Sequence, residues 1–236
     1  MHFLSKDCFV CKMGCYWIIL SASSDRYLCV ADAELATIGN RLVGWKDQSL
    51  EWTHASPPDA EVNVLLESLI GNGIITSNPA IGKPFTESQY PVPENRIDVP
   101  EPSASTNVSF LGIIRFFLAC GTVDWQLRSN ALSRTLARIE RRRRRAESSG
   151  TRWNREYASK LVAAFKVLRP LYPRPYLCLF ESLALLEFLA SYNFFPQVVF
   201  GVVADPFQAH CWLQEGSTIL NDDLERVGRY RPILSV

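Results

Sequence analysis

At 236 residues the chain is long enough for one large domain or two small ones, and its formal net charge of +1 gives no global pull toward nucleic acid or an anionic membrane. An apolar share of 47% against 21% charged residues is the balance of a soluble globular protein. The seven scattered cysteines, odd in number and too sparse for a disulfide scaffold, suit a reducing compartment, so a cytoplasmic location is expected.

In the first 20 residues Cys, Lys, Asp and Gly interrupt the apolar run well short of a spanning length, so neither a signal peptide nor a transmembrane helix is expected. Apolar runs at 8–11, 15–20 and 27–30, separated by Gly14 and by the SASSD stretch at 21–25, predict three small strands. Leu35, Ile38 and Leu42 then recur at helical spacing within 31–45, as do Val62, Leu65, Leu66, Leu69 and Ile70 within 61–75. Gly71 and Gly73 end the second helix, and 74–76 would form a short closing strand.

From residue 77 to 105 six prolines (79, 84, 91, 93, 100 and 102) replace apolar periodicity, as in an extended connector. The expected division is a domain over 1–80, a proline-rich linker over 81–108 and a second domain over 109–236. Residues 109–140 read as helical, with Ile113, Phe116, Phe117 and Cys120 before a break at Gly121 and Leu127, Leu132, Leu136 and Ile139 after it. The five arginines at 141–145 read as a solvated helix face or loop; no aromatic residue interleaves them, so the stacking partner of single-stranded nucleic acid is missing.

Cys8, Cys11 and Cys15 have a spacing that invites a zinc reading, with His2, His54 or Cys29 as a fourth ligand. On an extended strand, however, the odd separation of Cys8 and Cys11 points them to opposite faces, and no metal is expected.

The chemistry-bearing stretch is 174–223. Cys178 sits where a loop carrying Pro173 and Pro175 enters the apolar periodic run 179–189, which places it at a helix N-terminus, where the partial positive charge favours thiolate. Residues 197–203 predict a strand, 204–208 an Asp-Pro turn, and 209–214 a second strand bearing His210. After Glu215, Gly216 and Ser217 a third strand over 218–221 ends in Asp222 and Asp223. A three-residue loop pairs position 210 with 222, and a two-residue loop pairs it with 223. Either carboxylate would orient the imidazole and fix its tautomer.

Taken singly, such cysteines are usually buried hydrophobes and a strand histidine a satisfied core group. Taken in order, Cys at a helix start, His on a strand and Asp on the next strand make the arrangement of papain-like and transglutaminase-like folds. Cys211, next to His210, is expected to face away and pack as a small hydrophobe.

The same residues carry a family resemblance. Cys178 with 182–185 (SLAL), Gly201-Val202, Pro206-Phe207, Ala209-His210 with Trp212, and 219–222 (ILND) resemble the lasso-peptide biosynthesis B proteins, leader peptidases of transglutaminase-like fold. By that resemblance the nucleophile, base and orienting acid fall on Cys178, His210 and Asp222. Three strands followed by helices are similar to the small winged-helix recognition domain fused to members of that family, itself similar to pyrroloquinoline-quinone chaperone domains. The expected fold is therefore α+β, a winged-helix-like recognition domain followed by a transglutaminase-like cysteine peptidase domain.

The resemblance implies that the protein cleaves the leader from a ribosomally made precursor and passes the core to an asparagine-synthetase-like cyclase that closes a macrolactam. The strand at 27–30 would form an exposed edge beside the second helix, able to take an extended leader as an added strand. The expected leader-binding residues are Tyr27, Leu28, Cys29 and Val30 with Leu65 and Leu69. No G-x-x-x-x-G-K-[ST] phosphate loop occurs, so any ATP dependence belongs to the cyclase. A non-catalytic precursor-binding scaffold and an acyl-transferring transglutaminase are the rival readings.

Overall fold

A computed structural model describes residues 1–45, 59–99, 108–129, 132–148 and 154–236. His54 and positions 100–107 of the expected linker lie outside the described residues. The chain divides into two compact units, Met1–Gln89 with Ala204–Phe207, and Tyr90–Val203 with Gln208–Val236.

The first unit is built on the antiparallel meander β2 (Cys8–Met13), β3 (Tyr16–Ser21) and β4 (Arg26–Ala31), in which β4 is outermost. Gly14 takes φ 58° in the two-residue β2–β3 loop, a backbone region that costs glycine little. Cys8, Val10, Trp17, Ile19 and Val30 share the face that packs with Leu35, Ile38, Val62, Leu66 and Leu69. Those partners come from α1 (Asp32–Thr37), the turn after it and α2 (Asp59–Gly71).

The helix expected over 31–45 is shorter than its periodicity implies: α1 stops at Thr37 and a 3₁₀ turn, Gly39–Arg41, follows. Trp45 fills the space beside this turn. Its indole packs tilted against Trp17 and Phe85 at centroid distances of 5.1 and 5.7 Å, and a Cβ at Gly39 would meet it at 2.4 Å. A second small sheet places β1 (Phe3–Ser5) between β5 (Ile75–Thr76) and β6 (Gly82–Lys83).

The segment expected as a linker is thus partly sheet. Besides β6, it supplies β7 (Asn95–Arg96), which pairs in parallel with a strand of the second unit. Proline removes one donor per residue but does not prevent two-residue ladders between prolines.

In the second unit, α3 (Phe110–Ser129), α4 (Leu132–Ser148), α5 (Arg155–Leu168) and α6 (Cys178–Ala190) accompany a five-stranded sheet of order β11-β8-β9-β10-β7. Its strands are β8 (Gln197–Ala204), β9 (Phe207–Glu215), β10 (Thr218–Ile219) and β11 (Arg231–Ser235), with a short α7 (Leu224–Val227) between the last two. The break expected at Gly121 does not occur. One glycine costs a helix about 1 kcal/mol, and α3 offsets this by packing along α6 with Phe116, Cys120 and Val123 fully buried. Phe116, Phe165 and Phe188 meet edge-on or tilted at 5.4 to 6.5 Å, joining α3, α5 and α6.

By length and composition α3 could cross a membrane; a third of its apolar window is buried, and Phe110, Leu118 and Trp125 are among its exposed residues. The arginine run lies on α4. Arg142 grips Glu187 of α6 through both carboxylate oxygens at 2.6 Å, while Arg143 and Arg144 pair with Glu147 and Glu140 one turn away.

Candidate active site

The local structure around Cys178 starts from a buried arginine. Arg169 is only 3% exposed and is fully employed: its Nε donates to Glu181 at 2.7 Å, and its Nη atoms donate to the carbonyls of Tyr172 and Arg174 at 2.9 Å. These bonds clamp the proline-bearing loop onto the first turn of α6, and Cys178 is the first residue of that helix. Breaking a buried pair of this kind costs about 3–5 kcal/mol. Nothing in the local sequence pattern marks Arg169; only its proximity to the Pro173–Pro175 loop hints at it.

His210 is fixed from β9. Its ring lies 6.2 Å from the Trp212 ring, stacked, and 5.1 Å from that of Tyr230. Trp212, Val199, Ile219 and Val227 form the small core beneath. Gly201 on β8 makes room for this packing, because a Cβ there would meet both the Trp212 ring and the Tyr230 Cβ at 2.8 Å.

Of the two loop lengths the spacing allows, the hairpin has the shorter. Thr218 pairs with Glu215 and Ile219 with Gln214, so the loop holds two residues, with Gly216 at φ 56°. A regular continuation would set 223 opposite 210. Instead the ladder ends, because the Asn221 side chain intervenes: its Oδ1 accepts from the Leu213 N–H at 2.7 Å and its Nδ2 donates to Ser182 Oγ at 3.0 Å. Ser182 in turn donates to the Cys211 carbonyl at 3.1 Å.

The chain therefore leaves the sheet at Asn221, and Asp222 hydrogen-bonds His210 Nε2 through Oδ2. Its other oxygen accepts from the Asp223 N–H at 2.8 Å. Asp223 itself turns outward to an ion pair with Arg96. Asn221 and Ser182, both within the motif stretch, hold the acid in place, a role that spacing alone did not reveal.

With Nε2 bound to Asp222, Nδ1 is the ring nitrogen left to His210, and His210 and Cys178 line the same cavity. Burial pushes His210 down, but the hydrogen bonds to Asp222 and Cys178, with their negative charges, outweigh it and raise it to about 9. Hydrogen bonds from Cys211 and His210 hold Cys178 down to about 4 against the opposing effect of burial. The two shifts run in opposite directions and both favour a thiolate–imidazolium pair.

Cys211 does not face away from the site. It lines the same cavity as Cys178, and the Ser182 hydroxyl on α6 donates to its carbonyl at 3.1 Å. Interaction with Cys178 together with burial raises Cys211 well above an ordinary thiol.

A cavity of about 330 Å³ opens over these groups, lined by Cys178, Ser182, His210, Cys211 and Asp222 with Tyr176, Lys166 and Arg226 among the other residues. It has the size of a small-ligand or side-chain pocket. The arrangement suits attack by sulfur on a carbonyl, with the N–H groups of the first turn of α6 available to a developing oxyanion.

The expected leader-binding residues fall in the first unit and divide by burial. Leu28 and Cys29 on β4 are exposed, and Tyr27 and Leu65 are half-buried. Val30 and Leu69, at 4% and 1% exposure, belong to the core and present no surface to a peptide. Strand alternation explains Val30, which shares the inward face of Trp17 and Ile19. Among the described residues no group of His, Cys, Asp and Glu could hold a metal ion.

Residues 119–235 match the model of the transglutaminase-like superfamily, so α3 from its midpoint through β11, with Cys178, His210 and Asp222, forms a domain of that superfamily. No curated protein and no solved structure matches the chain.

Proposed function

We propose that this transglutaminase-like domain is a cysteine endopeptidase that removes the leader from a ribosomally made lasso-type precursor. The observation that carries the reading is Cys178 at a helix start on the wall of the same cavity as the hydrogen-bonded pair His210–Asp222, an arrangement that lowers the thiol toward about 4. A scaffold that only bound precursor would have no use for a polarised thiol.

In the proposed reaction the Cys178 sulfur attacks the carbonyl of the last leader residue. The oxyanion rests against backbone N–H groups at the start of α6. Imidazolium at His210 donates its proton to the departing amine of the core, and Asp222 keeps the ring oriented through this transfer. The leader remains as a thioester until water, deprotonated by His210, releases it. The freed amine is the nucleophile that an asparagine-synthetase-like cyclase would need, and any ATP is consumed there.

Recognition of the leader is assigned to the outer strand β4, where Leu28 and Cys29 are exposed, with Tyr27 and Leu65 beside them. An extended segment would add to the sheet there by main-chain hydrogen bonds. Such a reaction would take place in the cytoplasm, where precursor is made.

The test is incubation of the purified chain with full-length precursor, followed by mass spectrometry. Leader and core should appear with the wild type and not with Cys178→Ala. Cleavage by Cys178→Ala at the wild-type rate would overturn the reading. A product joining the acyl group to an added amine would reassign the domain to acyl transfer.

A further inference from the structure

We propose that Cys178 and Cys211 form a peroxide-responsive dithiol, in which Cys178 is the thiol oxidised first and Cys211 resolves it to an intramolecular disulfide. The inference rests on Cys178 being the reactive thiol of the proposed peptidase, but not on what that peptidase cleaves.

Placement carries the argument. Cys178 opens α6 at the wall of the cavity, half-exposed, and Cys211 lies behind it on β9 at 3% exposure. The spacing is fixed because Ser182, one turn along α6, donates to the Cys211 carbonyl at 3.1 Å, so the first turn of α6 and residue 211 move together. Both sulfurs line the same cavity, and closing them to the roughly 2 Å of a disulfide draws on side-chain rotation within that shared space. The other cysteine described in this unit, Cys120, is fully buried in α3 and burial raises it to about 12, so it offers no competing thiolate.

The chemistry balances with hydrogen peroxide as oxidant. The Cys178 thiolate attacks one peroxide oxygen and the O–O bond breaks. Hydroxide leaves and takes the proton of the His210 imidazolium, giving water and a sulfenic acid at Cys178. The Cys211 thiol then attacks that sulfur, the S–O bond breaks, and the departing hydroxide carries away the Cys211 proton as a second water. Two thiol sulfurs are oxidised by one electron each, and the peroxide is reduced by two.

Once Cys178 is a neutral sulfenic acid, the negative charge that helped keep Cys211 protonated is gone, so the resolving step is favoured by the first. The disulfide would protect the nucleophile from the irreversible sulfinic and sulfonic states.

Treating the full chain with hydrogen peroxide, then blocking free thiols and digesting without reductant, should yield one cross-linked peptide pair containing Cys178 and Cys211, lighter by two hydrogen atoms. Dithiothreitol should restore both alkylatable thiols. In Cys211→Ala the same treatment should instead carry Cys178 to sulfinic acid that dithiothreitol does not reverse. Recovery of Cys211 as a free, alkylated thiol while wild-type Cys178 is overoxidised would overturn the proposal, and this reading needs no variant to fold. Because the readout is mass and not turnover, its failure would leave the peptidase reading standing, and the absence of leader cleavage would leave the dithiol standing.

Discussion

The edge of β9 and the edge of β4 present the same backbone chemistry and are used in opposite ways. Beside β9, the ladder with β10 lasts two residues and then gives way to side chains, Asn221 on the Leu213 N–H and Ser182 on the Cys211 carbonyl. Beside β3, β4 pairs along its whole length and is the last strand of its sheet, with Leu28 and Cys29 at the surface. An edge closed by side chains of its own unit fixes a thiol, an imidazole and a carboxylate relative to one another. An outermost strand fixes only a direction, and what adds to it is chosen mainly by main-chain hydrogen bonds, with side-chain pockets as a secondary filter.

The largest effect should come from the carboxylate delivered by the closed edge. Asp222→Asn is expected to lower kcat/KM on the order of 10³–10⁴-fold, the scale for losing the group that orients a catalytic imidazole, while Asp223→Asn should change it little. The pH profile sharpens this. Wild-type activity should rise as Cys178 deprotonates near pH 4 and fall as His210 loses its proton near pH 9. The Asp222 carboxylate favours imidazolium, so in Asp222→Asn the alkaline limb should move to lower pH. An unmoved limb would mean that another group holds His210.

A smaller loss is expected when the edge itself is opened. Asn221→Ala leaves the Leu213 N–H without its partner and frees the turn carrying Asp222. Stability should fall by about 1–3 kcal/mol, the cost of an unpaired buried donor, with kcat reduced more than KM is raised. Chemical denaturation and steady-state kinetics on one preparation would separate the two effects. Activity unchanged in a destabilised variant would show that the ladder, not Asn221, sets the acid.

The smallest effect belongs to β4. Leu28→Lys, at an exposed position, should leave stability within about 0.5 kcal/mol and leave cleavage of a short junction peptide unchanged, while weakening binding of the full precursor several-fold by calorimetry. Equal affinity would remove the leader from this edge.

How far these features could be read beforehand depended on how local their causes are. Cys178 at a helix start follows from two prolines and an apolar run within a dozen residues, and the structure has it there. The β2–β4 meander follows from period and turn residues alone. What escaped the pattern was set by partners distant in sequence. The continuity of α3 through Gly121 depends on its packing along α6, the turn after α1 packs against Trp45, and Cys211 shares a cavity with Cys178 from an element 33 positions earlier. The choice between Asp222 and Asp223 shows the division well. Hairpin spacing left both open, and the observed two-residue loop would have pointed to Asp223 had Asn221 not taken the chain out of the sheet.

That departure separates two lengths that a regular hairpin would tie together. Asp222 is anchored through Asn221 to Ser182 and Leu213, so the turn at Gly216 and Ser217 is not part of the ruler that measures the distance from carboxylate to imidazole. A residue inserted at Gly216 would bulge the tip outward while Leu220 and Asn221 keep β10 and the acid in register with β9.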